Sequence, residues 1–295
     1  MSERAGEGTR SGGGAEPRAD GGPLRAAAGA GLLRVCALYP ELMNIYADRG
    51  NLIVLERRCA WRGIGFQLSA SGLGEELDGD AYDLLYIGGG QDRDQRLCAQ
   101  DLIDTKRAGL HAAAARGAVV LGVCGGYQLL GHAYTLDAQE IPGVGLLDVR
   151  TVREPGPRLI GNVAIEVQLK DAAGKSPAWV DAQAENGFKG AALGGGRYVL
   201  AGFENHGGRT YLGAQQQPLG RVLRGHGNDG RSGAEGARSG NVIGTYLHGP
   251  LLPKNVWFAD WLIARALAID VSELAALDDA LERQTHASAC RAAGV

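Results

Sequence analysis

The sequence predicts an α/β protein with a doubly wound, mostly parallel sheet flanked by helices and a strand-rich second half. Three observations carry this. Strand-like and helix-like stretches alternate between residues 32 and 133, the pattern of consecutive βαβ units. Two glycine clusters, Gly88 to Gly90 and Gly122 to Gly126, fall where strands end, the edge at which open α/β sheets bind ligands. Beyond residue 140, β-rich runs follow one another with little helical pattern between them.

Residues 1–30 are rich in Gly, Ala, Arg and Glu and lack apolar periodicity, so a disordered tail is expected there. Leu32–Tyr39 reads as a strand. "RGNLIVLERRCAWRG" reads as a helix with Leu52, Leu55 and Cys59 on one face and Gly63 at its end. "YDLLYIGGG" is a short apolar strand running into glycines, and "DQRLCAQDLIDTKRAGLHAAAARG" a longer helix stopped by Gly117. "AVVLGV" then delivers Cys124, and "GYQLLGHA" opens another helix. The second half offers strands at "VGLLDVR", "NVAIEVQLK", "RYVLAGFE" and "NVIGTYLHG", then a helix at "KNVWFADWLIARALA". Residues 31–270 are expected to form the functional domain, and 271–295 a partly helical C-terminal tail. The low-complexity segment 224–240, "RGHGNDGRSGAEGARSG", is expected to be a flexible surface-loop insertion.

With 45% hydrophobic and 21% charged residues in a chain of 295, a sizeable buried core is possible. The net charge of −3 provides no basic field for nucleic acid or an anionic membrane. No apolar run approaches the roughly 20 residues of a membrane span, and the first thirty residues lack a signal-peptide core. A cytoplasmic protein is expected. Five scattered cysteines without a C-x-x-C form neither a disulfide framework nor a zinc signature. Cys36, Cys59 and Cys98 read as small core hydrophobes, and Cys290 lies in the tail.

Cys124 stands apart. Gly122-Val123-Cys124-Gly125-Gly126 is G-x-C-x-G, the cysteine form of a nucleophile elbow on a sharp strand-to-helix turn. A helix start offers free N–H groups that favour a thiolate, and the N–H of Gly125 can meet an oxyanion. Gly89 and Gly90 in "IGGGQD" are candidates for a second donor. A cysteine nucleophile also needs a histidine to move protons. His226 and His286 are expected to be solvated, His111 belongs to a first-half helix, and His132 follows the elbow helix and points away from the strand ends. His206 and His248 remain. His248 is preferred, because it closes the "IGTYLHG" strand and the following Gly-Pro exposes its ring at the same edge.

Together "GVCGGYQLLG" and "YLHG" resemble the class I glutamine amidotransferase family, whose sheet is flavodoxin-like, in its cobyric-acid-synthase-like branch. "LMNIYADRGNLIVLERRCAWRGI", "IGGGQDRDQ", "GFENHGGRTYLG" and "GTYLHGPLLPKN" narrow the likeness to the glutaminase subunits of lipid II isoglutaminyl synthases, over about residues 32–265. The resemblance implies that Cys124 is the nucleophile and His248 the base and acid in hydrolysis of L-glutamine through a thioester. It implies Arg158 as the partner of the substrate α-carboxylate, for which a guanidinium fork is well shaped. Gln128 would be a further substrate contact. Read from the residues alone, Arg158 is an ordinary loop arginine, and the competing reading of Gln128 is a helix residue facing solvent. The resemblance further implies a heterodimer with a Mur-ligase-like partner of MurT type. That partner would hold ATP and magnesium and amidate the D-glutamate α-carboxyl of lipid II. No cofactor and no metal are expected on this chain. Its nearest phosphate-loop candidate, Gly174-Lys175-Ser176, fails because Leu169 replaces the first glycine and Pro177 follows at once.

The sequence departs from many class I members at Pro250, where an acidic residue would orient the histidine. A Cys–His dyad, or an orienter from elsewhere such as Glu204 or Asp92, are both open. Rival readings are a glutaminase serving another amidation, a non-catalytic binding module, and another cysteine hydrolase on the same sheet.

Overall fold

A computed structural model describes residues 31–45, 48–136, 139–169, 192–194 and 196–295. The expected tail, 1–30, and the rejected phosphate-loop candidate at 174–176 lie outside the described residues.

The first half follows the alternation read from the sequence. Strand β1 (Leu32–Leu38) leads to helix α1 (Arg49–Trp61), which buries Leu52, Leu55 and Cys59. Strands β2 (Gly65–Ser71) and β3 (Leu84–Ile87) follow. Helix α2 (Asp92–Asp101) passes through a π turn at Leu102–Lys106 into α3 (Arg107–Arg116). Gly117 closes α3 in the left-handed conformation, φ 97°, which glycine adopts without a Cβ penalty. Strand β4 (Val119–Val123) is buried throughout and runs into α4 (Gly125–Leu130).

Short and antiparallel strands make up most of the rest. Strands β5 (Ala133–Leu136), β6 (Gln139–Pro142) and β7 (Val149–Arg153) precede the long β8 (Leu159–Gln168). Then come β9 (Ala192–Gly194), β10 (Arg197–His206), β11 (Gly208–Leu212), β12 (Gly220–Arg224), β13 (Ala234–Glu235), β14 (Ala237–Ser239) and β15 (Val242–Thr245). A short helix α5 (Leu251–Lys254), the largely buried α6 (Val256–Ala266) and α7 (Ala280–Ala293) end the chain.

The central sheet has the order β14-β15-β4-β3-β1-β2, parallel except for β14. A second sheet, β13-β12-β8-β10-β9, is antiparallel, and a third is β11-β7-β5-β6. Two pairings position the site. β15 lies beside β4 with Thr245 opposite Val123, so the chain leaves both strands at one edge. Just beyond, Phe203 of β10 and His248 exchange both backbone hydrogen bonds, at 3.1 and 2.9 Å, tying the second sheet to that edge.

Two expectations are corrected here. Segment 224–240 is not a surface loop throughout: it carries β13 and β14, and Asn228, Glu235 and Ala237 are buried. Its glycines serve tight turns, with Gly227 at φ 66° and Gly236 at φ 62°. Nor are His286 and Cys290 solvated in a tail. Helix α7 packs on the second sheet, where Cys290 clusters with Ala164, Val199 and Ala201, and His286 Nδ1 lies 2.9 Å from the Lys254 carbonyl. The C-terminal region is anchored by Arg58, whose buried guanidinium pairs with both Asp260 and Asp279. Among the described residues no helix is long and apolar enough to cross a membrane.

Candidate active site

The elbow forms as its sequence demands. Cys124 has φ 53° and ψ −105°, a conformation that costs a non-glycine residue about 1–3 kcal/mol and persists only where surroundings over-determine it. Those surroundings are backbone. Cys124 N–H donates to Thr245 O at 2.8 Å, and Gly126 N–H to Gly88 O at 3.0 Å. A Cβ on Gly126 would sit 2.3 Å from Ile87 O, so the close approach of elbow and glycine loop requires glycine there.

Cys124 lines a cavity of about 250 Å³ together with Gly90, Asp92, Gln95, Gln128, Arg158, Asn205 and His206. Of the sequence-predicted residues, Cys124, Gly90, Asp92, Gln128, Arg158 and His206 therefore meet in one place. Gln128 is buried and donates from Nε2 to the Tyr246 hydroxyl at 3.1 Å, so it is not a solvent-facing helix residue. Arg158 is exposed at the mouth, and Asn205 orients it. That asparagine has no sequence signal of its own, because its role depends on the β8–β10 pairing.

His248 is fully buried and does not line the cavity; it leaves β15 beside the strand that delivers Cys124. Burial, then the charges of His206, Lys254 and Arg158, lower its pKa to about 4, so the ring is a neutral imidazole, able to accept a proton but weakened as a base. His206, the other candidate, lines the cavity, with its ring held by its own neighbours. Its ring stacks on Tyr246 at 3.6 Å, Nδ1 lies 2.8 Å from Gly208 O, and Nε2 faces Glu204 at 3.9 Å. The remaining histidines lie apart: His111 contacts the Val144 carbonyl, while His132, paired with Asp148, and His226 are exposed.

The glycines differ from expectation. Gly125 N–H points at the thiol, and Gly90 N lies 3.0 Å from where a Gly125 Cβ would be, beside the elbow. Gly89 is not a free donor: its N–H donates to Asp48 Oδ2 at 2.7 Å. Nor does the elbow favour a thiolate. Burial pushes the Cys124 thiol up to about 12, the carboxylate of Asp48 adds to this, and Gly125 N–H and Arg158 only partly oppose it. A helix of six residues offers too little field to offset that burial.

Of the two orienter candidates, Glu204 is buried and accepts from the N–H groups of His226 and Gly227 at 2.6 and 2.9 Å, which commits it to the β12–β13 turn. Asp92 is exposed at the start of α2, on the cavity wall. Among the described residues no group of three or more His, Cys, Asp and Glu side chains could hold a metal ion. The arrangement offers a thiol, N–H donors beside it, a neutral imidazole at the same sheet edge and a guanidinium at the mouth. That set suits acyl transfer from a small carboxylate-bearing amide.

Residues 34–256 match the CobB/CobQ-like glutamine amidotransferase domain. The chain is 33% identical over 236 residues to the GatD subunit of the glutamine-hydrolysing lipid II isoglutaminyl synthase of Streptococcus pneumoniae, covering 80% of each. It is 37% identical over 235 residues to the GatD subunit of Staphylococcus aureus, covering 79% of this chain and 84% of that one. A cobyric acid synthase of Pelotomaculum thermopropionicum is 36% identical over 151 residues, 48% of this chain and 25% of that protein. In fold the chain resembles PurLQS from Thermotoga maritima, with a TM-score of 0.51 at 22% identity over 80% of this chain and 98% of that one.

Proposed function

The chain belongs to the CobB/CobQ-like glutamine amidotransferase family, and from that premise we propose that it is the glutaminase subunit of a lipid II isoglutaminyl synthase. Cys124 attacks the side-chain carboxamide of L-glutamine while His248 accepts the thiol proton. The oxyanion is met by the N–H groups of Gly125 and Gly90. Collapse expels ammonia with the proton returned by His248 and leaves a glutamyl thioester, which water activated by His248 hydrolyses to glutamate. Arg158 binds the α-carboxylate, and Gln128 braces the cavity floor. Ammonia passes to a Mur-ligase-like partner that holds ATP and magnesium and amidates the D-glutamate α-carboxyl of lipid II.

The observation that carries this reading is the strained Cys124 on the floor of a cavity with Arg158 at its mouth and a neutral imidazole leaving the neighbouring strand. The acceptor is supported by likeness over four-fifths of two GatD subunits, against a quarter of the cobyric acid synthase. Purification of the tagged chain from its own cells tests it. A Mur-ligase-like protein is expected to co-purify, and the complex to amidate lipid II with L-glutamine as nitrogen donor. Amidation of a corrinoid instead would replace the acceptor and leave the glutaminase chemistry standing.

A further inference from the structure

Three consecutive glycines, Gly88 to Gly90, have almost no conformational preference of their own. Their peptide groups must be fixed from outside if one N–H is to serve as a catalytic donor. The structure fixes them one by one. Gly88 O accepts from Gly126 N at 3.0 Å, Gly89 O from Ile45 N at 3.1 Å, and Gly90 O from Gln95 Nε2 at 3.0 Å. Gly89 N–H donates to Asp48 Oδ2 at 2.7 Å. The N–H of Gly90 is left beside the elbow.

Asp48 is an expensive way to hold one N–H. It is 1% exposed, and its Oδ1 is buried with no hydrogen-bond partner among the described residues. Burying a carboxyl with half its acceptor capacity unmet is unfavourable. Burial accordingly raises its pKa to about 7, against the pull of the Gly89 N–H. Its backbone is anchored as well. Asp48 O accepts from Asn51 N at 2.9 Å and from the Tyr86 hydroxyl at 3.3 Å. Asn51 donates to that hydroxyl at 2.9 Å and accepts from Leu252 N at 2.8 Å, four residues past His248. One buried network thus joins the glycine loop to the segment that follows the histidine.

We infer that Asp48 is a positioning residue for glutamine hydrolysis, clamping Gly89 N–H so that the next peptide presents Gly90 N–H to the oxyanion formed at Cys124. It touches neither substrate nor the reacting atoms and acts through the loop. The inference rests on the proposed reading of Cys124 as nucleophile.

The full chain, with any partner that co-purifies, is compared as wild type, Asp48→Ala, Asp48→Asn and Cys124→Ala. Ammonia release gives kcat and KM; iodoacetamide labelling of Cys124, a displacement that forms no oxyanion, reports access to the thiol. In Asp48→Ala, kcat is expected to fall by about 10–100-fold with KM changed by less than about threefold and labelling not slowed. Asp48→Asn keeps an oxygen acceptor for Gly89 N–H and is expected to restore kcat to within about fivefold of wild type. Amide exchange across residues 84–95 reads the clamp without turnover, faster in Asp48→Ala and unchanged in Asp48→Asn. Asp48→Leu, which fills the site without an acceptor, replaces Asp48→Ala if that variant does not fold. Wild-type kcat or equal amide protection in the variants lacking an acceptor overturns the inference, as does labelling that falls in step with kcat. Retained hydrolysis in Cys124→Ala overturns the nucleophile reading instead.

Discussion

Arg158 is held by a single residue from two sides: its Nε donates to Asn205 Oδ1 and its Nη2 to Asn205 O, both at 2.8 Å. The guanidinium is thereby fixed at the mouth of the cavity whose floor is Cys124. Arg158→Ala is expected to raise KM for L-glutamine by about 10–100-fold, the worth of a charged hydrogen-bonded contact of about 1.5–3 kcal/mol. Asn205→Ala should raise it less, since the guanidinium remains but loses a side-chain partner. Initial-rate kinetics check both, and an unchanged KM in Arg158→Ala would contradict the assignment.

The thiol and the imidazole set the pH dependence. With Cys124 raised to about 12, its alkylation by iodoacetamide should keep rising with pH and show no plateau near neutrality. With His248 lowered from 6.5 to about 4, the acid limb of kcat/KM should lie well below 6.5. The stability that depends on a neutral His248 is complete above pH 6.5 and is lost as pH falls from there through about 4. A thiol plateau near pH 7, measured by labelling rates, would contradict the first expectation.

Glu235 provides a separate stability test. Burial raises it from 4.5 to about 8, opposed by Tyr246 N–H and the Thr245 hydroxyl. The folded state binds a proton that the unfolded chain has released. Stability from this group is therefore full below 4.5, falls as pH rises towards 8, and is lost above it. Glu235→Gln should flatten the dependence of Tm on pH across that window, as read by thermal melts.

Much of the fold was legible because its first half obeys simple periodicity: the strands at 32 and 84, the Leu52–Leu55–Cys59 face and the Gly117 stop all form as read. Strand β2 carries no such signal, since "GFQLSAS" forms an edge with most side chains exposed or half-buried. Segment 224–240 misled because glycines that turn a chain between short buried strands look, in sequence, like those of a loose loop. At the site, the elbow and the two histidine candidates were visible from local pattern. The engagement of Gly89 by Asp48 was not, because it joins residues 41 positions apart through a single tertiary hydrogen bond.

The buried ion network should be indispensable to folding. Arg58→Ala leaves Asp279 without its guanidinium and Asp260 with only that of Arg62, at a cost of about 3 kcal/mol. Chemical denaturation measures this. A loss no larger than that of an exposed arginine, below about 1 kcal/mol, would contradict the structural role.

The most direct test is ammonia release from L-glutamine by the purified chain, alone and with the proposed Mur-ligase-like partner, against Cys124→Ala of equal fold. Release that disappears in Cys124→Ala is the expected result, whether or not the partner is needed to elicit it. Ammonia release near the wild-type rate from Cys124→Ala, or none from the folded wild-type chain in either condition, would contradict Cys124 as the nucleophile of a glutaminase.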